Sequence, residues 1–133
     1  MNARAESCQG SGTTVGLAAL CAQWFSDVGL QDPELSGTLE ADYAAMVGLL
    51  EGVFDRVLAP GLITTEATAV AAAREFVRQS VDAVVLVHIM WSEDPPLLAL
   101  LDHLGDRPVI VWNYHPPGAL PAYLTINQML RRC

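Results

Sequence analysis

The amino-acid sequence predicts an α/β domain in three layers, a doubly wound parallel sheet with helices on both faces. Three observations carry that prediction. Short β-rich runs alternate with stretches of helical period, giving β-α-β-α-β-α-β-α along the chain. The clearest runs, residues 82–89 (DAVVLVHI) and 108–112 (PVIVW), are apolar at nearly every position; such strands are covered on both faces, as in a parallel sheet between helices. Of the 133 residues, 52% are hydrophobic and 17% charged, enough apolar mass for that core and too much for a disordered tail.

Each element can be justified in turn. Residues 1–12, rich in Gly, Ser and Gln, are expected to form a flexible leader, and 13–133 a single domain. Residues 13–20 (TTVGLAAL) read as a buried first strand, and the irregular stretch after it, with Gly29, Pro33 and Gly37, as a long loop. From Thr38 the period changes. Leu39, Tyr43, Met46, Val47, Leu50, Phe54 and Val57 recur at steps of three and four, with Glu40, Asp42, Glu51 and Asp55 opposite. An amphipathic helix is therefore expected from a Thr38 cap to the Pro60-Gly61 stop. Leu62-Ile63 is a minimal second strand, and Thr65 is placed to cap a helix reaching Ser80, with Val70, Ala73, Phe76 and Val77 inward. After the strand at 82–89, Asp94-Pro95-Pro96 opens a third helix, acid at the cap and proline where no N–H is needed. Leu97, Leu98, Leu100, Leu101 and Leu104 form its core side. The strand at 108–112 precedes a Pro- and Gly-rich loop, and Thr125-Ile126-Asn127-Gln128 is a capping box opening a fourth helix. Right-handed crossovers then give an expected strand order of 2-1-3-4, flavodoxin-like. The last helix is expected to be truncated at Cys133, and the chain to be the N-terminal part of a longer protein.

Charge and spacing exclude several functions. Seven basic against fifteen acidic residues leave a formal charge of −8, which repels nucleic-acid phosphates and anionic lipid heads. No run approaches the roughly eighteen apolar residues of a spanning helix. The opening residues lack the apolar centre of a secretory signal, so a cytoplasmic location is expected. Cys8, Cys21 and Cys133 are an odd number without C-x-x-C spacing. Free thiols are the simpler reading, with a nucleophilic Cys21 just past the first strand as the sharper one. Gly10-Ser11-Gly12 precedes the first strand, so it is no dinucleotide turn, and the chain has no lysine for a phosphate loop. His88, His103, His115, Glu93 and Asp94 are metal-ligand types, yet no two histidines share i, i+4 spacing. Glu93 and Asp94 read more simply as a helix cap, with Asp94 accepting from the next turn, and His103 as solvated or core-adjacent.

In an open parallel sheet, ligands bind outside the carboxyl ends of the strands. The loops expected there span 21–37, Thr64-Thr65, 90–94 and 113–123. They bring Gln23, Trp24 and Phe25 after the first strand, and His88, Trp91, Ser92, Glu93 and Asp94 at the third. Trp112, Asn113, Tyr114 and His115 come at the fourth, so all three tryptophans fall on one predicted edge. Rings that pack on C–H faces, beside amides and carboxylates that match hydroxyls, suit a polyhydroxylated ligand. The same aromatics would equally plug the rim of a small sheet or an interface.

Residues 61–118, with LITTEATA, VDAVVLVHIMWSEDPPLLALL and DRPVIVWNYHPPG, followed by TINQML, resemble the N-terminal domain of the L-fucose/L-arabinose isomerase family. The segment VGLAALCAQWF is similar to that family's opening strand and glutamine-bearing loop, so the resemblance covers nearly the whole chain from Thr13. It implies an aldose–ketose isomerase, an intramolecular oxidoreductase of carbohydrate metabolism working through an ene-diol. A divalent metal, typically Mn2+, holds neighbouring sugar oxygens and stabilises the enediolate charge. In that family the metal ligands come from a later domain. The resemblance therefore implies no cofactor site and no catalytic residue in this chain, which alone would be inactive. It also implies contacts with its own further domain and with other subunits of a homo-oligomer. Carried over by position, the sugar contacts are Gln23, Trp91, Asn113 and His115; Trp24 and Tyr114 are added from the rim. The alternative is a free-standing sugar-binding or sensor module that uses the same rim without chemistry.

Overall fold

The computed structural model of the chain describes residues 12–24, 27, 33–90 and 92–114, and within the first helix the side chains from Gly37 onward. Strand β1 (Thr14–Leu20) is buried from Val15 to its end. Its side chains alternate between two apolar layers, Val15, Leu17 and Ala19 in one and Ala18 and Leu20 in the other. Four strands align parallel around this centre. β4 (Ala83–His88) runs along one side of β1, from Val15 opposite Ala83 to Leu20 opposite His88. β2 (Arg56–Leu58) and β3 (Leu62–Ile63) share the other side, facing residues 14–16 and 19–20 of β1. β5 (Val109–Val111) pairs with the far side of β4. The order is β2-β1-β4-β5, with β3 also on β1.

Helices cover both faces. α1 (Pro33–Glu51) sets Leu39, Met46 and Leu50 against the layer of Val15, Leu17 and Ala19. α2 (Glu66–Arg78) and α3 (Asp94–Leu104) cover the other face with Ala69, Ala72, Ala73, Phe76, Leu100 and Leu104. The molecule is an α/β fold with a parallel sheet between helical layers.

The strand order differs from the expected 2-1-3-4 because one strand lay hidden inside the expected first helix. α1 ends at Glu51, and a turn follows in which the N–H groups of Gly52 and Phe54 donate to Gly48 O and Leu50 O. Residues 56–58 then pair with β1. Phe54 and Val57 still pack on the α1-side layer, so their spacing fits either backbone. The same helix starts early, at Pro33, where a missing N–H costs nothing; Thr38 is therefore interior, not a cap. Gln23, Trp24 and Asp27 are helical too, so part of the loop expected over 21–37 is helix.

α2 begins at its expected cap. Thr65 Oγ1 accepts from the Thr68 N–H at 3.1 Å and Thr68 Oγ1 accepts from the Thr65 N–H at 2.9 Å, so two otherwise orphaned donors are satisfied. Its buried stripe is mostly alanine, while Val70 is half-buried and Val77 exposed, contrary to the expected inward set. At α3 the N-cap is Glu93, not Asp94, and no side chain bonds the first turn. The reason is chemical: a cap needs N–H groups two and three residues on, and those positions are Pro95 and Pro96. Pro96, Leu100 and Leu104 face inward, whereas Leu98 and Leu101 are exposed. Of the leader only Gly12 falls within the described residues; the capping box at 125–128 and the truncated last helix lie outside them.

Polar contacts pin the amino edge of the sheet. Asp55 and Asp82 accept from the N–H groups of Thr13 and Thr14 at 2.7 and 2.8 Å. Arg107 donates to Leu104 O at 3.3 Å and Val77 O at 3.4 Å, tying the last turns of α3 and α2, where helix carbonyls lack intrahelical partners.

Of the described glycines Gly16 is the most closely packed: an added Cβ would stand 2.5 Å from Cδ1 of the fully buried Phe76. Gly16→Ala is expected to cost about 1–3 kcal/mol, the range for overpacking a core. A drop in the urea midpoint, partly recovered in Gly16→Ala/Phe76→Leu, is the measurement that checks it.

Candidate functional site

Because every pairing is parallel, the carboxyl ends of the strands open on one edge. Leu20 stands opposite His88, and Leu86 opposite Val111, so the segments leaving β1, β4 and β5 depart together. Gln23 and Trp24 follow β1 and are exposed, Trp24 at 49%. Asn113 is exposed after β5 and Tyr114 is half-buried. The edge thus brings together four of the six expected sugar contacts. Trp91 and His115 lie outside the described residues. β4 separates the two groups, a gap of two strand spacings or about 10 Å.

On the α1 side of this edge, Trp112 and Tyr114 meet edge to face, ring centroids 5.4 Å apart at 74°. Both pack on the α1-side core, so these two rings act as rim packing. Burial raises the Tyr114 phenol above its ordinary range, and the charge of Asp42 raises it further. Asp42 is itself raised by burial. It therefore belongs to the site's α1 wall, although its sequence position suggests the solvent side of the helix. Tyr43, one residue on, accepts from the Gly61 N–H at 2.8 Å and so fixes the bend between β2 and β3.

Cys21 also lies on the α1 side. Burial pushes its thiol up to about 11, and Sγ donates to Ala22 O at 3.5 Å. At 2% exposure and with its proton favoured by burial, the thiol fits the simpler reading of a free, buried cysteine.

His88 ends β4 on the opposite side. Val84 and Leu86 belong to the α2/α3 layer and Val85, Val87 and Ile89 to the α1 layer, so alternation sends His88 toward α2 and α3. It is 7% exposed, the only buried polar side chain among the described residues. Nδ1 is hydrogen-bonded to Ser92 Oγ, while the buried Nε2 has no hydrogen-bond partner. Desolvation pulls the ring down to about 4 against the opposing charge of Asp94, so it is neutral near pH 7. The sequence places His88 at this edge, closing a strand that is otherwise apolar.

Among the described residues no group of three or more His, Cys, Asp or Glu could hold a metal ion. His103 is exposed on α3 with Nδ1 2.8 Å from Ala99 O. No described helix is long and apolar enough to cross a membrane. Compared with known proteins, the chain matches no protein-family model and no curated sequence.

Two outcomes follow from the buried groups. With Cys8 and Cys133 replaced by serine, Cys21 is expected to resist iodoacetamide at pH 8 in the native protein and to react once unfolded, which mass spectrometry reads directly. His88 carries a proton below about 4 when folded but below 6.5 when unfolded. Between those values the unfolded state binds more protons, so stability is full above pH 6.5 and falls as the pH drops toward 4, by about 3 kcal/mol. His88→Phe removes both the titrating ring and an unpaired buried nitrogen. Its urea stability is expected to lose that share of the decline between pH 7 and 4.

Proposed function

We propose that this domain is the N-terminal, sugar-contacting module of a cytoplasmic L-fucose/L-arabinose isomerase-like ketol isomerase, helping to close a sugar site beside a further domain and a neighbouring subunit. The observation that carries the reading is that Gln23 and Trp24 follow β1 and Asn113 and Tyr114 follow β5, so that both pairs leave strands whose carboxyl ends open on one edge. The sequence resemblance from Thr13 onward supports it, and so does a flavodoxin-like winding in which β2 and β3 together take the place of one edge strand.

The chemistry assigned to these residues is binding. An exposed indole at Trp24 offers a face to the C–H groups of a sugar. The amides of Gln23 and Asn113 each donate and accept, as adjacent hydroxyls require. Asp42 adds an acceptor on the α1 wall. The divalent metal of the family would stabilise enediolate charge, but the described residues do not supply a donor set for it, and no step here runs through it. Trp91 and His115 remain part of the proposal as further sugar contacts.

Titration with L-arabinose or L-fucose is expected to change the tryptophan fluorescence saturably. Asn113→Ala should weaken binding about tenfold, the worth of one or two hydrogen bonds, with the melting temperature unchanged because the side chain is exposed. A featureless titration for both sugars would sink the reading. With Mn2+ added, the 133-residue chain should release no ketose; turnover by contaminant-free protein would show that the site is complete without a further domain.

A further inference from the structure

α2 and α3 lie together on one face of the sheet, and among the described residues only α1 covers the other. On the α1 face an open groove of about 330 Å³ runs between the end of α1 and β5, lined by Leu49, Val53, Phe54, Ile110 and Trp112 among others. Leu49, Val53 and Ile110 are exposed there among the described residues. Asp42, whose charge reaches Tyr114, and Leu49 mark the flank of α1 that looks toward β5. Ala45 lies between them at helical spacing, exposed and small, so a neighbouring helix can come close.

Topology selects the part of the chain that can reach this groove. The chain steps from β1 to β2 in one direction with α1 on one face. It steps from β3 through β4 to β5 in the other direction with α2 and α3 on the opposite face, as crossovers of one hand require. A helix that leaves β5 and turns back over the sheet then falls on the α1 face. The sequence after β5 encodes such a helix. Its capping box at 125–128 has Leu124 just before the cap and Met129 just after the box, the two positions of a hydrophobic staple. Ile126, Met129, Leu130 and Cys133 stand at i, i+3, i+4 and i+7, with Asn127, Gln128, Arg131 and Arg132 on the other side. Eight helical residues after the cap rise about 12 Å, and the three residues of β5 about 10 Å. Charge agrees. Residues 119–133 hold two arginines and no acid, the remaining chain has five basic against fifteen acidic residues, and α1 carries four acids and no base.

We propose that residues 125–133 of the same chain occupy this groove as a helix beside α1, with Ile126 near Trp112, Met129 and Leu130 over Ile110, and Cys133 at Val53. These nine residues lie outside the described ones; their sequence pattern and the shape of the groove carry the placement. Both helices start from the carboxyl end of a strand, so they run the same way. The sheet then has two helices on each face. The placement is independent of whether the carboxyl edge binds sugar.

In a Cys8→Ser background, Val53→Cys is expected to form a disulfide with the native Cys133 within one chain, read by peptide mass under non-reducing conditions. Leu98→Cys, on the exposed side of α3, should form none, because a disulfide needs the two Cα atoms within about 7 Å. In a Cys8→Ser/Cys133→Ser background, Ile110→Cys should react with iodoacetamide about tenfold more slowly than Leu98→Cys, because reaction waits on undocking of the segment. Leu130→Asp should abolish that difference. Equal rates at the two positions, slow reaction that Leu130→Asp leaves unchanged, the lack of a Val53→Cys link, or a link that forms only between copies would overturn the proposal. Should Leu130→Asp fail to fold, the Val53→Cys link decides.

Discussion

The pairing of β1 with β4 is the constraint on which the rest of this molecule depends. Six consecutive registers, from Val15 opposite Ala83 to Leu20 opposite His88, join two strands buried on both faces. Side chains alternate with period two, so a slip of one residue would exchange the two apolar layers. Gly16 would then leave Phe76, whose ring needs the missing Cβ, and the alanine stripe of α2 would face larger side chains. The alternation therefore fixes more than the core. It determines that Cys21 and Ile89 emerge toward α1 while His88 emerges toward α2 and α3.

Parallel alignment has a second consequence, at the two ends of the sheet. The amino edge is closed by short-range polar bonds: Asp55 and Asp82 hold the start of β1, and Arg107 bridges the last carbonyls of two helices. These groups are committed to structure. The carboxyl edge carries amides, indoles and an imidazole; a buried nitrogen without a hydrogen-bond partner occurs at each edge, Nε2 of His88 here and Nε of Arg107 at the amino edge. Leaving a buried polar atom unpaired costs about 1–3 kcal/mol.

Much of this architecture is legible in the sequence, and the misreadings have local causes. Strands β1, β4 and β5 are continuous apolar runs bounded by turn residues, and Thr65 is a cap whose hydroxyl finds its donor. Phe54 and Val57 mislead because steps of three agree with a helix even where the chain turns at Gly52 and reappears as a strand on the same apolar layer. Leu98 and Leu101 mislead because a leucine-rich helix offers more apolar positions than one contact face can bury. At the site, the topology brings Gln23, Trp24, Asn113 and Tyr114 to a common edge as parallel strands require. The placement of Asp42 beside Tyr114 depends on long-range packing, which no local pattern encodes.

The two faces of the sheet are unequal, and this links the core to the edges. α2 and α3 together seal one face, and their close approach is possible because Ala69, Ala72 and Ala73 are small. On the other face α1 packs on β1 and β4, and the flank of β5 is approached by Leu49 near the helix end and Val53 in the turn after it, both largely exposed. Trp112 and Tyr114, packed edge to face at the end of β5, extend the apolar rim. The same two rings shape the α1 wall of the carboxyl edge. A change that repacks the β5 flank must therefore also be felt at Asn113 and Tyr114, because a single turn of extended chain carries both surfaces.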